Sequence, residues 1–289
     1  MWFRVPGSLK QVSVGRRFTS LDTQVWGVNS QNQIWRWPVG PYDFNSNNWE
    51  LIAGELKRIS VASSAPAAYP KPVVWGVNSA DEIYRWRGGD SRGNNWERIA
   101  GSLADIVVGS KDVVGFNGAG ELYKWRGGTT TGNAWIKVVV PGPITGIALG
   151  ETEPLVYAVQ PGGEIWFTSS LNWQVMPSGF VTFDGDPQWL PVIGSLVQIS
   201  ASVSGHVCGV DAFGKAWWLS NLLDEQNPAT PGAAPNWYWT ELSSYPTSPS
   251  IQFKQISVGD DYDYTAQSGP PFFWAVDVQD GIWRWVEFF

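Results

Sequence analysis

Six times along its 289 residues this chain restarts the same passage. WFRVPGSLKQVSVG begins at Trp2, WELIAGELKRISVA at Trp49 and WERIAGSLADIVVG at Trp96. Looser copies begin at Trp135 (WIKVVVPGPITGIALG), Trp189 (WLPVIGSLVQISAS) and Trp239, the last with an insertion before FKQISVG. The starts lie 47, 47, 39, 54 and 50 residues apart. Each copy runs on into a second shared passage: VWGVNSQNQIWRW from Val25, VWGVNSADEIYRW from Val74, VVGFNGAGELYKW from Val113, VYAVQPGGEIWFT from Val156, VCGVDAFGKAWWL from Val207 and WAVDVQDGIWRW from Trp274. Supersecondary units of this length cannot bury a hydrophobic face alone, so the copies must stack on one another.

Within a copy, four β-prone runs are separated by turn chemistry, as in Asn78-Ser79-Ala80-Asp81 and Asn117-Gly118-Ala119-Gly120 between the last two runs. Four strands per unit at this period predict an all-β fold, a six-bladed β-propeller of four-stranded blades, as a single domain over 1–289. The first Trp-led run lacks a preceding IWRW strand, and Gly281-Ile282-Trp283-Arg284-Trp285 lacks a following Trp-led strand. The N-terminal strand is therefore expected to complete the last blade and close the ring.

Composition narrows the partners. The formal charge is −7, and only 19 Lys and Arg are scattered singly, so no basic stripe is present to neutralise phosphates; nucleic acid and anionic membranes are not expected partners. No apolar run approaches the ~18 residues of a membrane span, so membrane insertion is not expected either. The start lacks the charged and apolar regions of a secretion signal, and the single Cys208 cannot form an internal disulfide. Both fit a cytoplasmic location; a mature chain stripped of its leader, or one released by a non-classical route, would read the same.

The run WGVNSxxxIWRW followed by NNWExIxGxLxxIxVG resembles the tectonin repeat of slime-mould tectonins, fish-egg lectins, a horseshoe-crab lectin and mushroom tectonin lectins. The resemblance covers essentially all of 1–289, and is strongest in the first three copies and the last. Copies four and five depart from it, with Phe167-Thr168 in place of Arg-Trp and with Trp217-Trp218-Leu219. It implies a sugar-binding protein of defence or recognition, and some members favour methylated glycans.

Strand alternation sorts the candidate residues. Ile34, Ile83, Leu122, Ile165, Ala216 and Ile282 fall on one face and are expected to form a packed layer. The opposite face carries Trp35, Tyr84, Tyr123, Trp166, Trp217 and Trp283, with Trp37, Trp86, Trp125 and Trp285 two residues on. Arg36, Arg85, Lys124 and Arg284 sit between these aromatics; Asn29, Asn78 and Asn117 mark the first three copies, and Asp211 and Asp277 the last two. Aromatic faces accept the C–H face of a sugar, and Arg, Asn and Asp bond its hydroxyls, so Asn29, Trp35, Arg36, Trp37, Asn78, Tyr84, Arg85, Trp86, Asn117, Tyr123, Lys124, Trp125, Asp277, Trp283, Arg284 and Trp285 form the candidate carbohydrate-binding set. A structural reading stands beside it: the aromatics pack between blades, the Arg stack on neighbouring Trp, and the Asn close turns. The opening tryptophans, present even in degenerate copies, read as structural. Loops 38–48, with Tyr42 and Phe44, 87–95 and 126–134 either border pockets between blades or serve as solvated connectors.

No enzyme, metal or cofactor is expected. His206, the only histidine, lies two residues from Cys208 in a degenerate copy, where a lone Cys reads as a small hydrophobe. The acids of Asp260-Asp261-Tyr262-Asp263, Asp184 with Asp186, and Asp224-Glu225 each occur once, in loops, and read as solvated. The leading reading is a multivalent lectin for surface glycans; its rival is a non-catalytic protein-docking propeller, favoured by the unrepeated insertions at 220–236 and 243–251.

Overall fold

A computed structural model describes residues 1–15, 25–37, 48–63, 72–88, 95–109, 112–126, 135–150, 155–168, 174–175, 181–182, 188–202, 205–220, 238–242, 251–260 and 271–285. Six four-stranded antiparallel sheets form the blades of a β-propeller, and no helix occurs among the described residues. In blade one the strands run from the channel outward as Gln11–Val14, Val25–Val28, Gln33–Trp37 and Glu50–Glu55. The inner strands of blades two to six are Arg58–Ser63, Asp105–Val108, Gly146–Gly150, Gln198–Ala201 and Phe253–Asp260. The expected closure is present: Trp2–Ser8 pairs antiparallel with Gly281–Trp285, Trp2 opposite Trp285, and becomes the outer strand of blade six. One element was not legible in the repeat, a short ribbon of Gln174–Val175 with Val181–Thr182 between the third and outer strands of blade four.

The core lies between blades. Ile34, Ile83, Leu122, Ile165, Ala216 and Ile282 are all buried, as strand alternation required. Ile34, Ile52 and Leu56 of blade one meet Trp86, Tyr84 and Trp96 of blade two, and the other gaps repeat this arrangement. Two belts of hydrogen bonds run around the ring. On the outside, the indole N–H of each opening tryptophan donates to a backbone carbonyl of the preceding outer strand or its end: Trp49 to Pro6, Trp96 to Ala53, Trp135 to Ala100, Trp189 to Val139, Trp239 to Ile193 and Trp2 to Leu242, at 2.6–3.4 Å. Gly54, at φ 115°, is forced by this contact, because a Cβ there would lie 3.0 Å from Trp96 Nε1.

On the inside, each inner strand is a sheet edge whose outward amides need partners. The preceding blade supplies them in blades one, two and six, and one of them in blade three. Gln255 and Ser257 accept from Val12 and Val14; Gln11 and Ser13 accept from Ile59 and Val61; Gln198 and Ser200 accept from Ile256 and Val258. Ser60 accepts from Val108.

Candidate functional site

Between blades one and two a pocket of about 200 Å³ is lined by Ile34, Gly54, Glu55 and Leu56 on one wall and Asn78, Tyr84 and Trp96 on the other. Its parts follow from local structure. Asn78 follows the second strand, Pro72–Val77, and its side-chain oxygen accepts from the amides of Ala80 and Glu82, closing the hairpin that aims Glu82 and Tyr84. Tyr84 projects toward blade one because Ile83 before it is committed to the other face. The left-handed glycine lets the chain bend behind Trp96, so the aromatic edge stays half exposed instead of being covered by a side chain.

A polar ledge borders this apolar floor. Glu82 accepts from Asn78 Nδ2 at 2.8 Å, from the Tyr84 hydroxyl at 3.0 Å and from Arg98 on the adjoining outer strand at 2.8 Å. These donors, the Asn78 amide first, hold the Glu82 carboxyl below the usual range, while burial and then the bond to Glu82 raise the Tyr84 hydroxyl. Blade three repeats the ledge with Asn117, Glu121, Tyr123 and Lys137, where the Lys137 ammonium and then Asn117 and Tyr123 bring Glu121 down to about 2.

Three of the other five gaps keep the glycine-against-tryptophan architecture, and the polar groups change from blade to blade. Gly7, Gly101 and Gly194 also adopt positive φ, each against the next tryptophan (Trp49, Trp135, Trp239) and an isoleucine (Ile282, Ile83, Ile165). In blades five and six the indole N–H of Trp217 and of Trp283 donates at 2.8 Å to Asp211 and Asp277, and the guanidinium of Arg4 lies 5.5 Å from the Trp283 ring. Asn29 bonds Gln33 in blade one, and Trp166 bonds Gln160 in blade four at 3.3 Å.

Alternation divides each copy's candidate residues between two gaps. Trp35 packs toward blade six and Tyr84 toward blade one, whereas Arg85 points the other way, 5.6 Å from the ring of Trp125 in blade three. Arg36 and Arg85 are further bound to Glu50 and Glu97 across the sheet and lie 5.7 Å from Trp26 and Trp75. Lys124 is held by Asp112 at 2.8 Å, and Arg284 lies between Phe3 and Trp274 in the sheet of blade six. Trp37, 2% exposed, and Trp86, 7% exposed, are interblade packing, with Trp49 and Trp274 around the first and Trp26 and Trp96 around the second. Trp125 lies 4.8 Å from Trp75, and Trp285 lies 5.4 Å from Trp2. Asn29, Asn78, Asn117 and Asp277 all close hairpins.

Several wall residues escaped the sequence reading: Glu82, Glu121, Arg98, Lys137, Arg4 and the positive-φ glycines. The available signal was the Asn-x-x-x-Glu-x-Tyr spacing, which puts Glu and Tyr on one face. Cys208 is fully buried in the core between blades five and six, burial raises its thiol, and His206 packs on Trp218 at 6.2 Å. Among the described residues no three His, Cys, Asp or Glu gather to hold a metal. Tyr42, Phe44, Asp184, Asp186, Asp224, Glu225, Asp261, Asp263, most of the three loops and nearly all of both insertions lie outside the described residues.

Comparison with known proteins found the same architecture. AofleA from Arthrobotrys oligospora superposes with a TM-score of 0.57 at 14% identity, over 98% of this chain and 84% of that one. A mutant of Aleuria aurantia lectin in complex with alpha-methyl-L-fucoside gives 0.57 at 13%, over 98% and 94%. YCF48 from Cyanidioschyzon merolae gives 0.51 at 12%, over 98% of both. These likenesses concern the fold. No curated protein matches the sequence. The model of the Tectonin domain matches residues 1–157, more than half of the chain and including its first three copies. With the repeat, the closed six-blade ring and this match together, the chain belongs to the tectonin domain family.

Proposed function

We propose that this protein is a non-catalytic, multivalent lectin that binds glycans in the gaps between its blades. The observation that carries the proposal is the recurrence of one pocket plan: glycine against tryptophan, an aliphatic floor, and a hairpin-borne polar ledge. The half-exposed Trp96 edge and Tyr84 offer apolar contact to the C–H face of a sugar ring, and Glu82, Arg98 and Glu55 meet its hydroxyls. Ile34 and Leu56 beside that ledge suit a methyl substituent, so methylated glycans belong in the ligand class. The fucoside held by the Aleuria aurantia lectin supports sugar binding by a propeller of this shape.

Shallow pockets of this kind bind a monosaccharide at roughly millimolar affinity, about −4 kcal/mol. Several on one rigid disc reach much higher avidity on a glycan-coated surface, since later contacts form at high effective concentration. That property fits recognition of cell surfaces in defence.

A glycan array that includes methylated sugars, run with the native chain and with Tyr84→Ala/Tyr123→Ala confirmed to be folded, tests the proposal. Native binding that the double variant weakens, with calorimetry giving more than one site per chain, is the expected result. Absence of binding to any glycan overturns it in favour of a protein-docking propeller.

A further inference from the structure

The channel along the ring axis opens, on the hairpin side, through a mouth whose two halves differ in chemistry. In blades six, one and two the residue leading toward the inner strand is Lys254, Lys10 and Lys57; in blades three, four and five it is Ala104, Thr145 and Val197. The hairpins follow the same division. Asp280, Asn32 and Asp81 take up φ of 67°, 66° and 63° in the lysine half, where the other half has Gly120, Gly163 and Gly214.

Each lysine bonds the hairpin beside it: Lys254 to Asp280, Lys57 to Asp81, and Lys10 to Asn32. The third differs from the first two, because its partner is a neutral amide and not a carboxylate. Arg58 joins the same cavity of about 530 Å³ and faces Asp105 at 3.6 Å. In a chain of net charge −7, four cations thus line one cavity, and the side chain bonded to Lys10 brings no counter-charge. Burial, and then the positive field of Arg58, lower the Lys10 ammonium, with Lys254 and Lys57 adding to the effect and Asp280 opposing it. Solvent reaches it: the side chains of Arg58, Lys254 and Lys57 are 46%, 32% and 28% exposed.

We propose that the lysine half of this mouth binds an oxyanion, a phosphate or sulfate group, at Lys10 with Lys254, Lys57 and Arg58 around it. Three ammonium groups supply rotatable, charge-assisted donors to a tetrahedral anion, and Thr145 and Val197 on the other side of the cavity leave room for a carbon-bearing remainder. The site is separate from the interblade pockets and does not depend on their binding sugar.

Titration of the whole chain with sodium phosphate at constant ionic strength, followed by amide NMR shifts, is the first test. One saturable site is expected, with shifts centred on residues 9–11, 57–58 and 254. Lys10→Gln/Lys254→Gln should weaken it at least roughly tenfold, while Tyr84→Ala in the interblade pocket and Lys215→Gln on blade five leave it unchanged. Val197→Lys, which adds a cation to the apolar half at an exposed position, should tighten binding severalfold and keeps the test decisive if the double variant fails to fold. Glucose 6-phosphate binding tighter than inorganic phosphate identifies an ester as the ligand, and equal affinity identifies the free ion. Non-saturating shifts spread over all lysines, or a folded double variant with native affinity, overturn the proposal.

Discussion

Glu121 shows how a half-exposed side chain is tuned by its immediate neighbours. Donors from Lys137, Asn117 and Tyr123 converge on its carboxylate and lower its pKa to about 2. A carboxyl depressed in the folded state stabilises the fold above its unfolded pKa of about 4.3, and that contribution fades as the pH falls toward about 2. Carboxyl NMR should therefore place the Glu121 midpoint near 2, and Lys137→Gln should move it upward; a native midpoint at the ordinary value would refute the bond network. Gly54 is a second single-residue test. Gly54→Ala puts a Cβ at φ 115° against Trp96, and urea unfolding should show a loss of about 1–3 kcal/mol. Half of this site was legible in the sequence. Asn78 and Tyr84 were visible through spacing and alternation, but Arg98 becomes a neighbour of Glu82 only once the outer strand pairs beside the third. Trp35 and Trp37 share a face and looked equivalent, yet Trp37 is enclosed by Trp49 and Trp274, contacts no local pattern encodes.

Among the elements, the outer strand has the tightest constraint. Its leading tryptophan packs an aromatic ring into the gap and gives its N–H to a carbonyl 35 to 50 residues earlier in five of the six cases, with the closing pair, Trp2 and Leu242, reaching across the ends of the chain. Recurrence in degenerate copies identified these tryptophans as structural without revealing that partner. Trp96→Phe keeps most of the apolar area and strands the Ala53 carbonyl, a loss of about 1 kcal/mol. Trp96→Ala also opens a cavity and should lose about 3–5 kcal/mol. Urea midpoints measured at unchanged slope would separate the two terms, and equal losses would mean that the hydrogen bond contributes nothing. The hairpins were easy to read because their turn chemistry is local. The ribbon at 174–182 lies in one degenerate copy, where no repeat marks it.

For the ring as a whole, stability depends on every seam being satisfied, and the seams are unequal. The end seam is formed within a sheet: deleting residues 1–8 would bare the edge of Gly281–Trp285 and remove Trp2 from the core between blades five and six, so unfolding of the entire ring, and not fraying of one blade, is expected by circular dichroism. The inner seams divide differently. From blades five, six and one, Gln and Ser side chains cap two edge amides of the next inner strand, and blade two, with Arg58 at the Gln position, caps Val108 alone through Ser60. Blade three has Asp105 and Val107 at those positions, and blade four has Gly146 and Ala148. Val107, Gly146 and Ala148 have no side-chain acceptor, and Asp105 accepts from Ile106 in its own strand. The corresponding amides of Ile147 and Leu149 in blade four, and of Ile199 and Ala201 in blade five, therefore face the channel without such caps. Each missing bond is worth about 1 kcal/mol, so local opening there should be several-fold easier than at Val12, Val14, Ile59 and Val61. Native-state hydrogen exchange resolves these amides individually. Faster exchange on both sides of blade four would show that the propeller loosens where its repeat has decayed; uniform exchange around the ring would show that outer-belt tryptophans and interblade packing alone set its cooperativity.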